Sequence, residues 1–408
     1  MHALARSIMD QCPDAARERR SDQPLTASNM HFTFTDEQQL LADTVQRFVR
    51  EHYSFEDRRE ILSSPEGWSR AIWQELAGLG LTAINVPEEH GGLGAGPVET
   101  MLVMNAFGAG LLLEPYLSAA VLAPSLIAQL GDSDVAAELL PQIAAGELIA
   151  IVAHQEPQTR GKLNSIATRA EKNGDGYVLQ GKKNVVAHAP AANEFLVTAR
   201  TSGKATDTAG VRVFRVPTDA SGLKITAYRT LDGTRAADLE LDRVRLPTSS
   251  LVGADSDGFA AIEAAHHVAV SALCAEAVGI MKAVNATTVE YTKNRKQFGQ
   301  PISRFQVLQH RMVDMFIQAE QATSMSYLAA IKCQDADPSA RRRALSAAKC
   351  VIGQAGRFIA QQAVQLHGGM GMTDELMVSH YFKRLTAIDL TWGDADFHLQ
   401  QFAESLRT

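Results

Sequence analysis

Cysteine is scarce in this chain. Its four cysteines, Cys12, Cys274, Cys333 and Cys350, stand far apart with no C-x-x-C spacing. Neither a disulfide framework nor a zinc site is indicated, and reduced thiols in a cytoplasm are the simplest reading. Long apolar runs are lacking as well. The longest, Met101 to Leu113, is interrupted by Asn105 and closed by Glu114-Pro115, short of the roughly 20 residues that cross a bilayer. Positive charge is not in excess: 39 Lys and Arg face 46 Asp and Glu, a net charge of -7, which gives no general attraction to nucleic acid or to an anionic membrane. Any phosphate this protein holds must be gripped by local basic residues. Residues 1 to 29 lack the apolar segment of a secretory signal and any sustained apolar period, so they are expected to form a loose N-terminal extension, with Met30 as an alternative start. Gly91, Gly92, Gly94 and Gly96 form neither a G-x-G-x-x-G nor a P-loop with its lysine; a flexible turn is expected there rather than a nucleotide cradle.

What is present is an ordinary globular composition, 46% hydrophobic and 21% charged over 408 residues, enough to bury a large core in two or three lobes. Thr35 to Gln38 fits a capping box, and Leu40, Leu41, Val45, Phe48 and Val49 follow at helical spacing. Further helical patterns run over Trp68 to Gly80, Glu99 to Leu113, Pro115 to Leu130 and Asp134 to Ala145. From about residue 150 the texture changes to short alternating runs. Tyr177 to Leu179, a Gln180-Gly181 turn and Lys182 to Val186 read as a hairpin, and Phe195 to Ala199, Val211 to Val216, Leu223 to Tyr228 and Asp238 to Leu246 as further strands. Helix returns over Phe259 to Lys293 and over Val307 to Gln334, where Asp337-Pro338 reads as a stop. A third stretch, Arg341 to Leu366, is closed by the His367 to Gly371 turn. The chain is therefore expected to be α+β. Its parts are an N-terminal helical domain over 30–149, a middle β-barrel-like domain over 150–249 and a C-terminal four-helix bundle over 250–408.

Between two of these helical patterns lies Arg295 to Gln306, RKQFGQPISRFQ. Its residue types leave two readings open. It is either an anion-recognition corner, with a planar guanidinium for a phosphate and Phe298 beside a heteroaromatic ring, or a solvated helix end, since Lys and Arg favour a last turn and Gly and Pro follow it. Elsewhere, adjacent His266 and His267 point to different sides of a helix with no carboxylate at i+4, so no metal site is indicated. Met312, Met315 and Met325 read as core fillers.

Tyr291 to Gln306 resembles the R-x-x-F-G-x-P-I-x-x-F-Q signature of the acyl-CoA dehydrogenase family. Val86 to Gly94 (VPEEHGGLG), Tyr177 to Arg200 and Gln365 to Gly371 (QLHGGMG) resemble its other markers, in the family's order. The resemblance runs from about Met30 to the C-terminus and implies that family's three-domain fold. It also implies FAD as cofactor, an acyl-CoA of fatty acid metabolism that loses its α proton and β hydride, an electron-transfer flavoprotein as acceptor, and a homotetramer or heterotetramer. Carried over position by position, Arg295 would contact the FAD pyrophosphate, and Phe298 and Gln306 would line the adenosine half. Gln365, Gly368 and Gly369 of a facing subunit would close over the same cofactor, and Asp394 aligns with a further cofactor-contacting position.

The chain departs from the family pattern in the middle domain and at the base. The T-E-P-x-x-G-S-D loop aligns with Gln155 to Lys162 without its serine and aspartate, and the W-I-T strand aligns with Val185-Val186-Ala187, leaving backbone amides to bind the flavin ring. The catalytic glutamate is absent from both family positions, where Trp392 and Ala269 stand. Three explanations stay open. Glu263, Asp394 or Asp396 serves as an unusual base; or a second acyl-CoA dehydrogenase chain brings the glutamate, as the similarity of Thr391 to Asp396 and Leu273 to Gly279 to the small subunits of pimeloyl-CoA dehydrogenases suggests; or the chain performs other flavin chemistry, as oxygen-using members of the superfamily do.

Overall fold

Thr35 opens the first helix of the described residues as its sequence predicts: the hydroxyl accepts from Gln38 N while the Gln38 side chain accepts from Thr35 N. The computed structural model describes residues 33–253 and 257–407; the N-terminal extension, Met30 and Cys12 lie outside them. The N-terminal lobe consists of α1 (Asp36–His52), α2 (Phe55–Ser63), α3 (Arg70–Gly78), α4 (Pro97–Gly110), α5 (Ala123–Leu130) and α6 (Ser133–Ala144), with a π-helical turn over Leu117–Leu122 leading into α5. The glycine stretch before α4 is not a loose turn. Gly92 N donates to Pro87 O and Gly94 N to Val86 O, and a Cβ on Gly92 would stand 1.9 Å from Val86 O. Glycine is needed there because two backbone segments touch.

The middle lobe is one mostly antiparallel sheet of β1 (Ala150–Ala153), β2 (Arg169–Asn173), β3 (Gly176–Ala187), β4 (Glu194–Arg200), β5 (Val211–Pro217), β6 (Leu223–Arg229), β7 (Arg235–Pro247) and β8 (Leu251–Val252). Its order is β6-β7-β3-β2-β4-β5-β8, with β1 pairing parallel to β4. The expected hairpin at Gln180-Gly181 does not form. Residues 176–187 are a single strand, and the hairpin is the β2–β3 pair, Asn173 facing Gly176. Gly181 sits at a register shift where a Cβ would come within 2.4 Å of the Thr168 hydroxyl, so the glycine admits a crossing segment and does not turn the chain.

The C-terminal lobe contains α7 (Gly258–Asn294), a short hairpin of β9 (Lys296–Gln297) and β10 (Gln300–Pro301), α8 (Gln306–Lys332), α9 (Pro338–His367), α10 (Met377–Leu390) and α11 (Ala395–Ser405). Asp337-Pro338 starts a helix here instead of ending one: the Asp337 carboxylate accepts from Ser339 N, and Pro338 takes the first helical position, where no amide is missed. By length and composition α7 could cross a membrane, but 89% of its apolar window is buried inside the protein. It is the axis of the molecule.

Small residues let α4 and α7 approach closely. A Cβ on Gly279 would lie 1.9 Å from Asn105 O, and one on Gly108 2.1 Å from Glu276 O. Gly279→Val is expected to destabilise the protein by about 3 kcal/mol, the upper end for overpacking a dense interior. A chemical denaturation midpoint equal to wild type would show that the two helices can separate freely.

Candidate functional site

A cavity of about 400 Å³ opens where the three lobes meet. Its N-terminal wall carries Ser118, Leu122 and Leu126; the sheet contributes His154 at the end of β1 and Asn184 to Ala187 at the end of β3; α7 contributes Ile262, Ala265 and His266. The floor is Asp232 and Arg384, and Trp392 closes one side. A second, more polar cavity of about 450 Å³ lies outside it, lined by Lys162, Asn164, Glu263, Arg342 and Glu404 among others. Leu163, His266 and Trp392 border both, and so form the partition.

The strand end is bent by its own sequence. Pairing with β7 slips between Lys183 and Val186, Val185 adopts φ +49°, and Val185 N is held by the Asp238 carboxylate at 3.0 Å. The bulge pushes Asn184 and Val185 into the cavity. Beneath it Lys183 is fully buried and donates to Glu156 (2.6 Å), to His154 O (3.2 Å) and to the Thr198 hydroxyl (3.1 Å). Glu156 also accepts from Ala167 N and Thr168 N, so one buried carboxylate ties the 155–168 loop to β3. Burial pushes the Lys183 ammonium down to about 8 against the pull of Glu156; burial raises Glu156, but Lys183 and the hydrogen bonds outweigh it and hold it below the usual carboxylate range.

The floor is a second ion cluster. Arg384 on α10 grips Glu276 with two donors, 2.5 and 2.9 Å, and Asp232 with a third at 2.8 Å. Asp232 also accepts from Thr230 and Thr234. Burial alone would raise Asp232, but Arg384 and these hydrogen bonds bring it down to about 2. Both of its oxygens are taken, Oδ2 by Arg384 and Oδ1 by the two threonines.

Three polar side chains at the cavity carry buried atoms without a partner. His154 Nδ1 lies 3.1 Å from the Thr198 hydroxyl, but its Nε2 is buried and unpartnered, as are Asn184 Oδ1 and both ring nitrogens of His266. Buried polar atoms are rarely left so.

The residues expected to hold a cofactor divide into two places. Arg295 caps the far end of α7, 29 residues beyond His266, on the order of 40 Å along the helix at 1.5 Å per residue. Phe298 and Gly299 turn the β9–β10 hairpin with positive φ, and Phe298 is 90% exposed. Gln306 starts α8 and is exposed. Gln365, Gly368 and Gly369 are exposed at the end of α9, and the Tyr291 ring stacks on His367 at 4.2 Å. These six residues therefore gather at one end of the bundle of a single chain, at the far end of α7 from its own cavity. Asp394 lies beside the cavity, where its carboxylate caps α11 by accepting from Phe397 N at 2.8 Å. Of the alternative bases, Glu263 faces the outer cavity and pairs with Arg342 at 3.0 Å, and Asp396 is exposed. Ala269 is fully buried.

Sequence reasoning did not single out His154, Lys183, Glu276, Arg384 or Asn184. A lysine between buried Leu179 and Val186 was the available signal, because an inward lysine requires an internal acid.

A helical lobe, a sheet and a helical bundle thus meet around a cavity over a bent strand. Models for the N-terminal, middle and C-terminal domains of acyl-CoA dehydrogenase match residues 35–147, 152–244 and 256–407. The chain is 32% identical to acyl-CoA dehydrogenase FadE12 of Mycobacterium tuberculosis, over 85% of this chain and 90% of that protein. It is 28% identical to probable acyl-CoA dehydrogenase YngJ of Bacillus subtilis, over 92% and 100%. Among solved structures, the ChsE4-ChsE5 complex of Mycobacterium tuberculosis superposes with a TM-score of 0.82 at 26% identity, covering 93% of this chain and 99% of that one. The chain belongs to the acyl-CoA dehydrogenase family of oxidoreductases.

Proposed function

We propose that the chain binds FAD in the inner cavity and introduces an α,β double bond into an acyl-CoA thioester, passing the electrons to an electron-transfer flavoprotein in the cytoplasm. The observation that carries this reading is the set of unpartnered polar atoms at the strand bend. His154 Nε2 and Asn184 Oδ1 are a donor or acceptor and an acceptor placed for a planar heterocycle, while Leu122, Leu126 and Ile262 offer an apolar slot beside it for an acyl chain. When bound, the flavin supplies hydride acceptance. The protein's own residues orient the ring, exclude water and deliver the thioester past Leu163 from the outer, polar cavity, whose Lys162 and Arg342 suit the phosphates of CoA.

The remote cluster around Arg295, Gln365 and Gly369 then serves the dinucleotide end of a cofactor seated in another chain. That end of the bundle also exposes Phe298, Val307, Phe316 and Met372, a patch suited to association. Either a second copy or another acyl-CoA dehydrogenase chain can meet it, and the likeness to the two-chain ChsE4-ChsE5 complex favours keeping a heteromer in view. In that case this chain is the partner lacking the family glutamate.

The test is the visible spectrum and native mass of the protein expressed alone, followed by anaerobic titration with short, long and dicarboxylic acyl-CoAs. One flavin per chain in a homo-oligomer, bleached by an acyl-CoA, is expected. Colourless protein argues for the partner role, and flavin that is reduced only by other donors and consumes oxygen argues for an oxidase or monooxygenase.

A further inference from the structure

We propose that His266 is the proton acceptor of this cavity, taking the α proton of the bound acyl thioester in place of the family's glutamate. The proposal rests on the dehydrogenase reading above. Its ground is geometric. Both His266 ring nitrogens are buried without a partner, which is costly in an apolar interior unless a bound group completes them. The imidazole borders both cavities, so a thioester drawn from the outer to the inner one passes it. It also stands on α7, across the inner cavity from the bent strand that would carry the flavin, which is where a base must be if the acyl group lies between the two.

The other titratable groups of the inner cavity are committed. Asp232 is held by Arg384 and two threonines; Arg235 donates to the carbonyls of Gly233, Leu62 and Ser64; His154 has Nδ1 against Thr198, and its open Nε2 lies on the sheet side assigned to the flavin. Trp392, at the family's glutamate position, packs edge-on against His266 with ring centres 5.1 Å apart. It therefore shields and orients the imidazole, and its carbonyl is in turn 3.2 Å from His398 Nε2. The ionisable groups around His266 are His267 on its own helix, His154 beyond β1, His398 on α11 and Lys349 on α9; burial, then these neighbours, hold the imidazole well below its ordinary range, so it is neutral at physiological pH with one nitrogen free to accept, and a weaker base than imidazole in water. In the step, the α carbon–hydrogen bond breaks, its proton goes to a His266 nitrogen and its electron pair enters the new α,β double bond. The β hydrogen would leave as hydride, whose acceptance is the chemistry that a bound oxidised flavin would supply.

The experiment uses flavin-loaded protein with 3-thiaoctanoyl-CoA, whose sulfur acidifies the α carbon and blocks hydride loss, so that deprotonation alone produces a long-wavelength charge-transfer band with oxidised flavin. Wild type is expected to form the band. His266→Gln, which keeps hydrogen bonding but takes no proton, should form it at least ~100-fold more slowly, and His266→Ala should regain it when imidazole is added. Band formation at the wild-type rate in His266→Gln overturns the proposal, as does failure of imidazole to rescue a folded, flavin-bound His266→Ala. Loss of flavin or of the melting transition in every variant makes the residue structural and overturns it as well. A wild-type band that depends on His266 without any bleaching by saturated acyl-CoAs leaves the proton acceptor standing and rejects the dehydrogenase reading; no band and no bleaching in wild type rejects both.

Discussion

Arg384→Met is expected to lower stability by about 3–5 kcal/mol at neutral pH, the usual cost of removing one partner from a buried ion cluster. The arginine is the shared counterion of Glu276 and Asp232, whose side chains are 8% and 2% exposed. Methionine fills much of the volume but leaves two carboxylates in the interior with no cation, beside the cavity floor. Acid should reveal the same linkage. Asp232 sits at about 2 instead of its ordinary 3.8, so its pairing contributes roughly 2 kcal/mol at 1.36 kcal/mol per pH unit. A depressed carboxylate gives stability that is present above the ordinary value and lost as the pH falls through the folded one. The wild-type advantage over Arg384→Met should therefore be largest near neutral pH, begin to shrink above 3.8 where the variant's burial-raised carboxylates take up protons, and keep shrinking as the pH approaches 2. Urea denaturation of both proteins across that window tests it; a constant difference would show that the cluster is not what separates them.

Lys183→Met is expected to cost a similar 3–5 kcal/mol and, unlike Arg384→Met, to reduce flavin occupancy directly. Glu156 would keep its two amide donors but lose the ammonium that neutralises it, while the strand that carries Asn184 and Val185 into the cavity would lose its anchor to the 155–168 loop. Adding Glu156→Gln removes the stranded charge and retains an acceptor for the amides, so the double variant should recover much of the loss. Thermal melts and flavin absorbance per chain read both effects. Wild-type melting together with full flavin in Lys183→Met would mean that the pair neither supports the lobe nor shapes the bend.

Much of the architecture was legible along the chain. The Thr35 capping box, the change of texture near residue 150 and the long helices flanking Arg295 all depend on near neighbours, and each stands in the structure. Strands β1, β2 and β8 were not seen, because the first and last are four and two residues long and β2, Arg169–Asn173, is mostly exposed and polar. At Gly181 glycine permits both a turn and a close crossing, and only the passage of Thr168 over it decides which.

The sequence by itself determined the order of the lobes and the family, and its resemblance to that family puts Trp392 and Ala269 where a glutamate is expected, because motif and periodicity are local properties. Tertiary structure decided the rest. It set Arg295 roughly 40 Å from the cavity by making α7 one continuous rod. It joined Lys183 to Glu156 and Arg384 to Glu276 and Asp232 across as many as 152 positions, and it left His266 unpartnered between two cavities. Charge pairing and desolvation depend on distances in space, which spacing along the chain does not encode.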